Sequence, residues 1–166
     1  MPQPKPLPPV ELLREYFDYD PGSGLLRWKV RPARSRVSPG DIAGSRRSSG
    51  YLQVQLNGSN LLVHRVAWKL HTGEEPPELL DHKDRNRSNN TWGNLRLGNP
   101  RTNQGNRKQV GRYLPGTSKK HNRWQAGTPT KYLGMYATEK EAHQAYAQWH
   151  LQEFGEFSIY ADEPFS

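Results

Sequence analysis

Asp81 and His82 stand side by side, just ahead of a loop dense in Asn and Arg, and further side-chain amides follow at Asn94 and Asn103. A carboxylate and an amide supply hard oxygen ligands suited to Mg²⁺ or Mn²⁺. A histidine beside such an ion can take a proton from water near neutral pH. Asp81 and Asn103 are therefore the candidate metal ligands, and His82 is the candidate general base. The chain around them is rich in Lys and Arg, which suits a phosphate-bearing substrate. The chemistry implied is metal-assisted cleavage of a phosphodiester, in which an ion stabilises charge on the phosphoryl and leaving oxygens while water attacks in line.

The composition agrees with that chemistry and bounds the alternatives. Lys and Arg outnumber Asp and Glu 24 to 16, giving a net charge of +8 and a pI near 9.8. This balance favours polyanions, nucleic acid first and acidic membrane surfaces second. No apolar run approaches the ~20 residues a spanning helix needs, and MPQPKPLPPV lacks the pattern of a secretory leader. Cysteine is absent, which excludes disulfides and Cys-ligated zinc and fits a cytoplasmic setting. Apolar residues make up 33% of 166 positions, enough for one or two modest cores. Nothing points to a small-molecule cofactor or a dimer interface, so the expectation is a monomer whose partner is double-stranded DNA.

The elements that must position these residues can be read from periodicity. Residues 1–9 alternate Pro with polar residues and read as an extended or disordered tail. A short helix is expected over 10–17, with Val10, Leu13 and Phe17 on one side, then a turn at 20–24 and a strand over 25–30. The stretch 31–47 is basic and poor in apolar residues. It reads either as a solvated loop or as a loop lying on the nucleic-acid backbone. Residues 51–56 alternate cleanly as a strand, Asn57-Gly58 is a hairpin turn, and 61–64 returns. A helix follows to a stop at Gly73. Strands at 79–82 and 94–97 flank the Asn-rich loop, and Asn99-Pro100 opens a helix carrying Asn103. Neighbouring strand residues face opposite ways, so aiming Asp81 and His82 at one ion requires the strand to end or distort there.

The segments VHRVAWKLHTG, LLDHKDRNRSNN and NLRLGNPRTNQGN resemble the HNH endonucleases, in the subgroup of phage and intron-encoded homing enzymes. The resemblance spans residues 51–106. It implies a ββα-metal fold around one divalent ion, with Asp81 and Asn103 as ligands and His82 as base. It also implies that Asn94 braces the loop and orients His82. The family usually has Gly where this chain has Arg85, and Val-Thr where it has Gly98-Asn99.

Beyond residue 112 the pattern changes. Three strand-length segments, YLPGTSKK, RWQAGT and KYLGMY, precede a helix opened by a Thr138–Glu141 capping box. Ala142, Ala145, Tyr146 and Trp149 share one helix face, and Gly155 ends the helix. Residues 112–160 resemble the Apetala/ethylene-response-factor type of DNA-binding domain, on Trp124, Leu133-Gly134, Tyr136, the capped EAxxAY helix and Gly155-Glu156-Phe157. That resemblance implies a sheet face in the major groove, with Lys119, Lys120, Arg123, Gln125 and Lys131 as candidate readers. Trp124 alternates onto the opposite face and belongs to the core.

The expectation is an α+β chain: tail 1–9, nuclease domain 10–107 with N-terminal strands, linker 108–112, a three-strand-plus-helix DNA-binding domain 113–160, and tail 161–166. It would act as a metal-dependent DNA endonuclease of homing or phage nicking type. The rivals are a non-catalytic DNA-binding regulator on the same fold and an RNA-binding or RNA-cutting protein. Candidate backbone contacts are Arg34, Arg36, Arg46, Arg47, Arg85, Arg87, Arg96 and Arg107.

Overall fold

The computed structural model describes residues 5–33, 35–98 and 111–161. The chain divides into two compact units, 1–98 and 99–166, and the linker expected at 108–112 falls largely outside the described residues.

The first unit begins with α1 (Val10–Tyr16) and runs directly into a hairpin of β1 (Phe17–Asp20) and β2 (Leu25–Trp28). Phe17, expected at the end of the helix, instead opens β1 opposite Trp28, with ring centroids 4.6 Å apart. That cross-strand aromatic pair outweighs the weak helix preference of one terminal residue. The next strands, β3 (Ser45–Arg46), β4 (Leu52–Leu56) and β5 (Ser59–Leu62), form an antiparallel sheet in that order. The basic stretch before β4 is therefore partly tied down. Ala43 is buried, Ile42 bridges Arg27, and Arg46 pairs with Leu52.

Helix α2 (Val63–Thr72) follows β5 without a loop, and His64, expected at the junction of the returning strand and the helix, sits in its first turn. The helix ends at Gly73. Leu13, Phe17, Leu26, Val54, Leu56, Val63 and Val66 make one apolar core beneath these elements, at roughly 1.5–3 kcal/mol for each fully buried large side chain.

Two cations of α2 tie down the flanking chain. Buried Arg65 donates to the carbonyls of Pro77 (2.8 Å) and Pro76 (3.2 Å), fixing the approach to β6 (Leu80–His82). Lys69 pairs with Glu75 at 2.6 Å, and Glu75 accepts from the Leu7 amide at 2.8 Å. Leu7 is thus buried, so the described part of the expected extended or disordered tail, residues 5–9, is tied to the first unit at Leu7. Strand β6 pairs antiparallel with β7 (Leu95–Leu97), which is entered through a 3₁₀ turn at Trp92–Asn94.

In the second unit, β8 (Thr117–Lys120), β9 (Arg123–Gly127) and β10 (Tyr132–Tyr136) form an antiparallel sheet in the order β10-β9-β8, packed on α3 (Glu139–Phe154). The capping box forms as the pattern predicts: Thr138 Oγ1 accepts from the Glu141 amide, and Glu141 accepts from the Thr138 amide. The buried residues of α3 are Ala142, Tyr146, Ala147 and His150; of the expected stripe, Ala142 and Tyr146 are buried and Trp149 is partly buried against the same core. His150 lies inside despite its polar ring, with Nδ1 2.8 Å from Ser158 Oγ. Among the described residues no helix is long and apolar enough to cross a membrane.

Candidate active site

The β6–β7 hairpin carries Asp81 and His82 on β6, and Asn94 ends the 3₁₀ turn that enters β7. Its register is regular, with Leu80 opposite Leu97, Asp81 opposite Arg96, and His82 opposite Leu95. The strand is regular through the Asp81–His82 pair and ends at His82. Successive side chains take opposite faces, so Asp81 turns toward Arg96 and His82 turns inward. The chain bends only after His82. The Lys83 amide donates to the Asn94 carbonyl at 2.9 Å, and the Arg85 amide donates to the His82 carbonyl at 3.0 Å. Arg85 itself adopts φ 63°, a left-handed conformation in which glycine carries no steric cost.

Asp81 Oδ2 accepts from Arg96 Nη2 at 3.0 Å and from Nε at 3.1 Å. This is a side-on pairing of one carboxylate oxygen with two guanidinium nitrogens, and both side chains are largely out of water. Arg96 is expected from the sequence to contact the DNA backbone. The register instead places it directly across from Asp81 and buries it there, so its charge is engaged within the hairpin.

His82 is only 3% exposed. Its Nε2 lies 3.1 Å from the Asn90 side-chain oxygen. An amide oxygen accepts but cannot donate, so Nε2 carries the proton and Nδ1 is the basic nitrogen. Burial pushes the His82 pKa down. The Asn90 bond and the Asp84 and Asp81 charges partly oppose this. The imidazole is therefore neutral, in its base form, near neutral pH. Beside it sit His64 (ring centroids 5.3 Å apart) and Tyr51 (5.9 Å). Burial, with smaller contributions from His82 and Arg65, pushes His64 down to about 3.

The loop between the strands is a web of Asn and Asp bonds. Asn94 Nδ2 donates to Asp84 Oδ1 (2.8 Å) and to the Asn89 carbonyl (2.8 Å), while its Oδ1 accepts from the Asp84 amide (3.0 Å). Asn89 Nδ2 donates to Asp84 Oδ2 at 2.7 Å. Burial would raise the Asp84 carboxyl, but the bonds from Asn89, the Asn86 amide and Asn94 outweigh it and hold it low. Asn94 thus braces the loop, while among the described residues the side chain hydrogen-bonded to His82 is that of Asn90. Sequence reasoning passes over Asn90. In a run of loop asparagines, only the fold shows which one is fully enclosed, and Asn90 is 1% exposed.

Other candidates fall in several places. Asn103, Arg34 and Arg107 lie outside the described residues. Arg36, Arg46, Arg47, Arg85 and Arg87 are exposed. Arg87 lies over the Tyr51 ring at 4.9 Å and donates to the Ser49 carbonyl at 2.8 Å, so it packs the β3–β4 turn against the Asn-rich loop. In the second unit the register sets Lys120 beside Arg123, and alternation adds Gln125 to that face. Lys119 pairs with Trp124 on the other face, its Nζ 5.8 Å from the indole. Lys131 reaches toward Trp149 of α3, at 6.0 Å. Of the five proposed readers, Lys120, Arg123 and Gln125 share a face, which Lys119 does not.

A family model described as HNH endonuclease matches residues 61–104. The matched span runs from β5 through α2, β6 and β7, and so contains His64, Asp81, His82, Asn90 and Asn94; β8–β10 and α3 lie outside it. At the level of that segment, the match supports a nuclease that hydrolyses phosphodiester bonds of DNA. No curated protein and no solved structure matches the chain.

Proposed function

We propose that this chain is a divalent-metal-dependent DNA endonuclease of homing or phage nicking type, with the β6–β7 hairpin as its cutting site and the second unit as its DNA-recognition module. The observation that carries the reading is the bond between His82 and Asn90 within the segment that matches the HNH endonucleases. It holds a neutral imidazole with its basic nitrogen on the side away from Asn90.

Asp81 and Asn103 are the proposed ligands. The donor chemistry fits a hard ion. Mg²⁺ is held through one or two protein oxygens and completes its shell with water and phosphate oxygens. Among the described residues no group of three His, Cys, Asp or Glu side chains comes together, and the assignment needs no such cage. A bound ion supplies charge stabilisation at the phosphoryl and leaving oxygens.

The chain's own residues do the rest. Arg96 holds the Asp81 carboxylate in one orientation. Asn90 holds the His82 ring, and Nδ1 accepts a proton from water as the water oxygen bonds to phosphorus and the bond to the 3′ oxygen breaks. In-line displacement puts the attacking water and the leaving oxygen on opposite sides of phosphorus. The base and the metal ligand therefore need not share a strand face. Exposed Arg46, Arg47 and Arg85 would contact the phosphate backbone, and Lys120, Arg123 and Gln125 would read the major groove.

The second reading is a DNA-binding regulator that does not cut, and the burial of His82 favours it. Incubating supercoiled plasmid with the protein and Mg²⁺, with and without EDTA, separates the two. Nicked circles that appear only without EDTA are expected. Binding without nicking at any divalent ion would overturn the nuclease reading.

A further inference from the structure

We infer that the N-terminal hairpin β1–β2, through Tyr19, Pro21 and Gly24, is a positioning element that sets the orientation of His82 by clamping Asn90; this rests on His82 being the general base.

Three contacts converge on the short stretch Asn90–Trp92, far from the hairpin in sequence. Tyr19 Oη donates to the Asn90 carbonyl at 2.8 Å. The Trp92 amide donates to the Pro21 carbonyl at 3.0 Å. Gly24 lies against the backbone itself: a Cβ built there would sit 2.3 Å from the Thr91 nitrogen and 2.5 Å from the Asn90 carbonyl carbon. Such separations are far inside van der Waals contact, so any side chain at 24 displaces Asn90 and Thr91. Gly24 also has φ +71°, where a Cβ is strained on its own account.

The turn that presents these groups is built to be stiff. Asp20 accepts from the Gly22 amide (3.0 Å) and from Ser23 Oγ (2.5 Å), and the Gly24 amide returns to the Asp20 carbonyl (2.8 Å). On the far side of the clamped stretch, Trp92 stacks on His71 at 4.0 Å and packs on Trp68 at 5.0 Å, both on α2. The stretch Asn90–Trp92 is thus held by the hairpin at Asn90 and by α2 at Trp92. The Asn90 side chain has one described partner on the histidine, Nε2 of His82. Among the described contacts, that bond is where the clamp meets His82, so the clamp bears on the angle of the imidazole. A displacement of about 1 Å in a reacting group can cost on the order of 100-fold in rate, so a backbone shift at Asn90 is expected to register in turnover.

The test compares Tyr19→Phe, Gly24→Ala and the exposed control Asp18→Ala in the full chain. It follows plasmid nicking kinetics together with ¹⁵N NMR of the histidine ring nitrogens, which reports the tautomer. Tyr19→Phe is expected to lower kcat on the order of tenfold with KM for DNA unchanged, and to shift the His82 ring signals away from the single Nε2–H tautomer. Gly24→Ala is expected to do both more strongly, and Asp18→Ala neither. Where Gly24→Ala fails to fold, Tyr19→Phe alone carries the test. Wild-type kcat and tautomer in Tyr19→Phe would overturn the inference, as would a loss seen only in KM. Full activity in His82→Ala would instead overturn the assignment of the base, a separate failure.

Discussion

Asp81 and Arg96 face one another across the β6–β7 hairpin, with Oδ2 3.0 Å from Nη2 and 3.1 Å from Nε. The residue proposed to hold the metal is therefore set by a cation on the neighbouring strand. Asp81→Asn keeps the shape but removes the charge that an ion requires. It is expected to abolish Mg²⁺-dependent nicking while leaving DNA binding by gel shift intact; nicking at the wild-type rate would remove Asp81 as a ligand. Arg96→Ala removes the described cation beside a mostly buried carboxylate and is expected to cost up to about 3 kcal/mol in urea unfolding.

Asn90→Ala removes the acceptor that fixes the His82 tautomer. With the ring able to turn, kcat should fall, up to the loss seen on removing the base itself, on the order of 100-fold or more. KM should stay put, because Asn90 is enclosed and cannot touch DNA. Single-turnover nicking checks this, and an unchanged rate would show that the hydrogen bond is structural.

His64 predicts a pH dependence of stability. Its pKa is pushed from 6.5 down to about 3 in the folded chain, so over that window the unfolded state binds the proton first. Stability is full above about pH 6.5 and declines as pH falls, by roughly 1.4 kcal/mol per pH unit for this group. His64→Phe keeps a ring but cannot titrate. Urea unfolding at several pH values between about 6.5 and about 4.5 should show a shallower decline for the variant. Parallel curves would mean that His64 does not contribute.

Lys120 and Arg123 share one face of the second sheet. If they contact DNA phosphates, the double variant Lys120→Ala/Arg123→Ala weakens binding and flattens its salt dependence. The log–log slope should fall by about 0.9 for every phosphate left without its cation. Lys119→Ala, on the opposite face, should change the slope little. Equal effects from both sets would point to a general charge effect instead of a docking face.

Much of the fold is legible in local pattern. The alternation of Leu52–Leu56 marks β4, the Asn57-Gly58 pair marks its hairpin, and the Thr138–Glu141 pair marks the start of α3. Each signal is local, because a turn or a cap is decided by residues within four positions of one another. Local pattern misleads where a distant partner decides the outcome. Phe17 leaves the helix for Trp28, Leu7 is drawn inward by Glu75 and Lys69, and His150 joins the core on Ser158.

At the site the division is the same. The groups present are legible along the chain: a carboxylate, an imidazole and several amides at a spacing that a nuclease can use, on a chain basic enough to meet DNA. What each one touches depends on the fold. It chose Asn90 from its neighbouring asparagines to hold His82, gave Arg96 to Asp81, and brought Tyr19 and Gly24 against a loop some seventy residues away. Residue types are written along the chain, but burial and hydrogen-bond pairing depend on what the fold brings alongside.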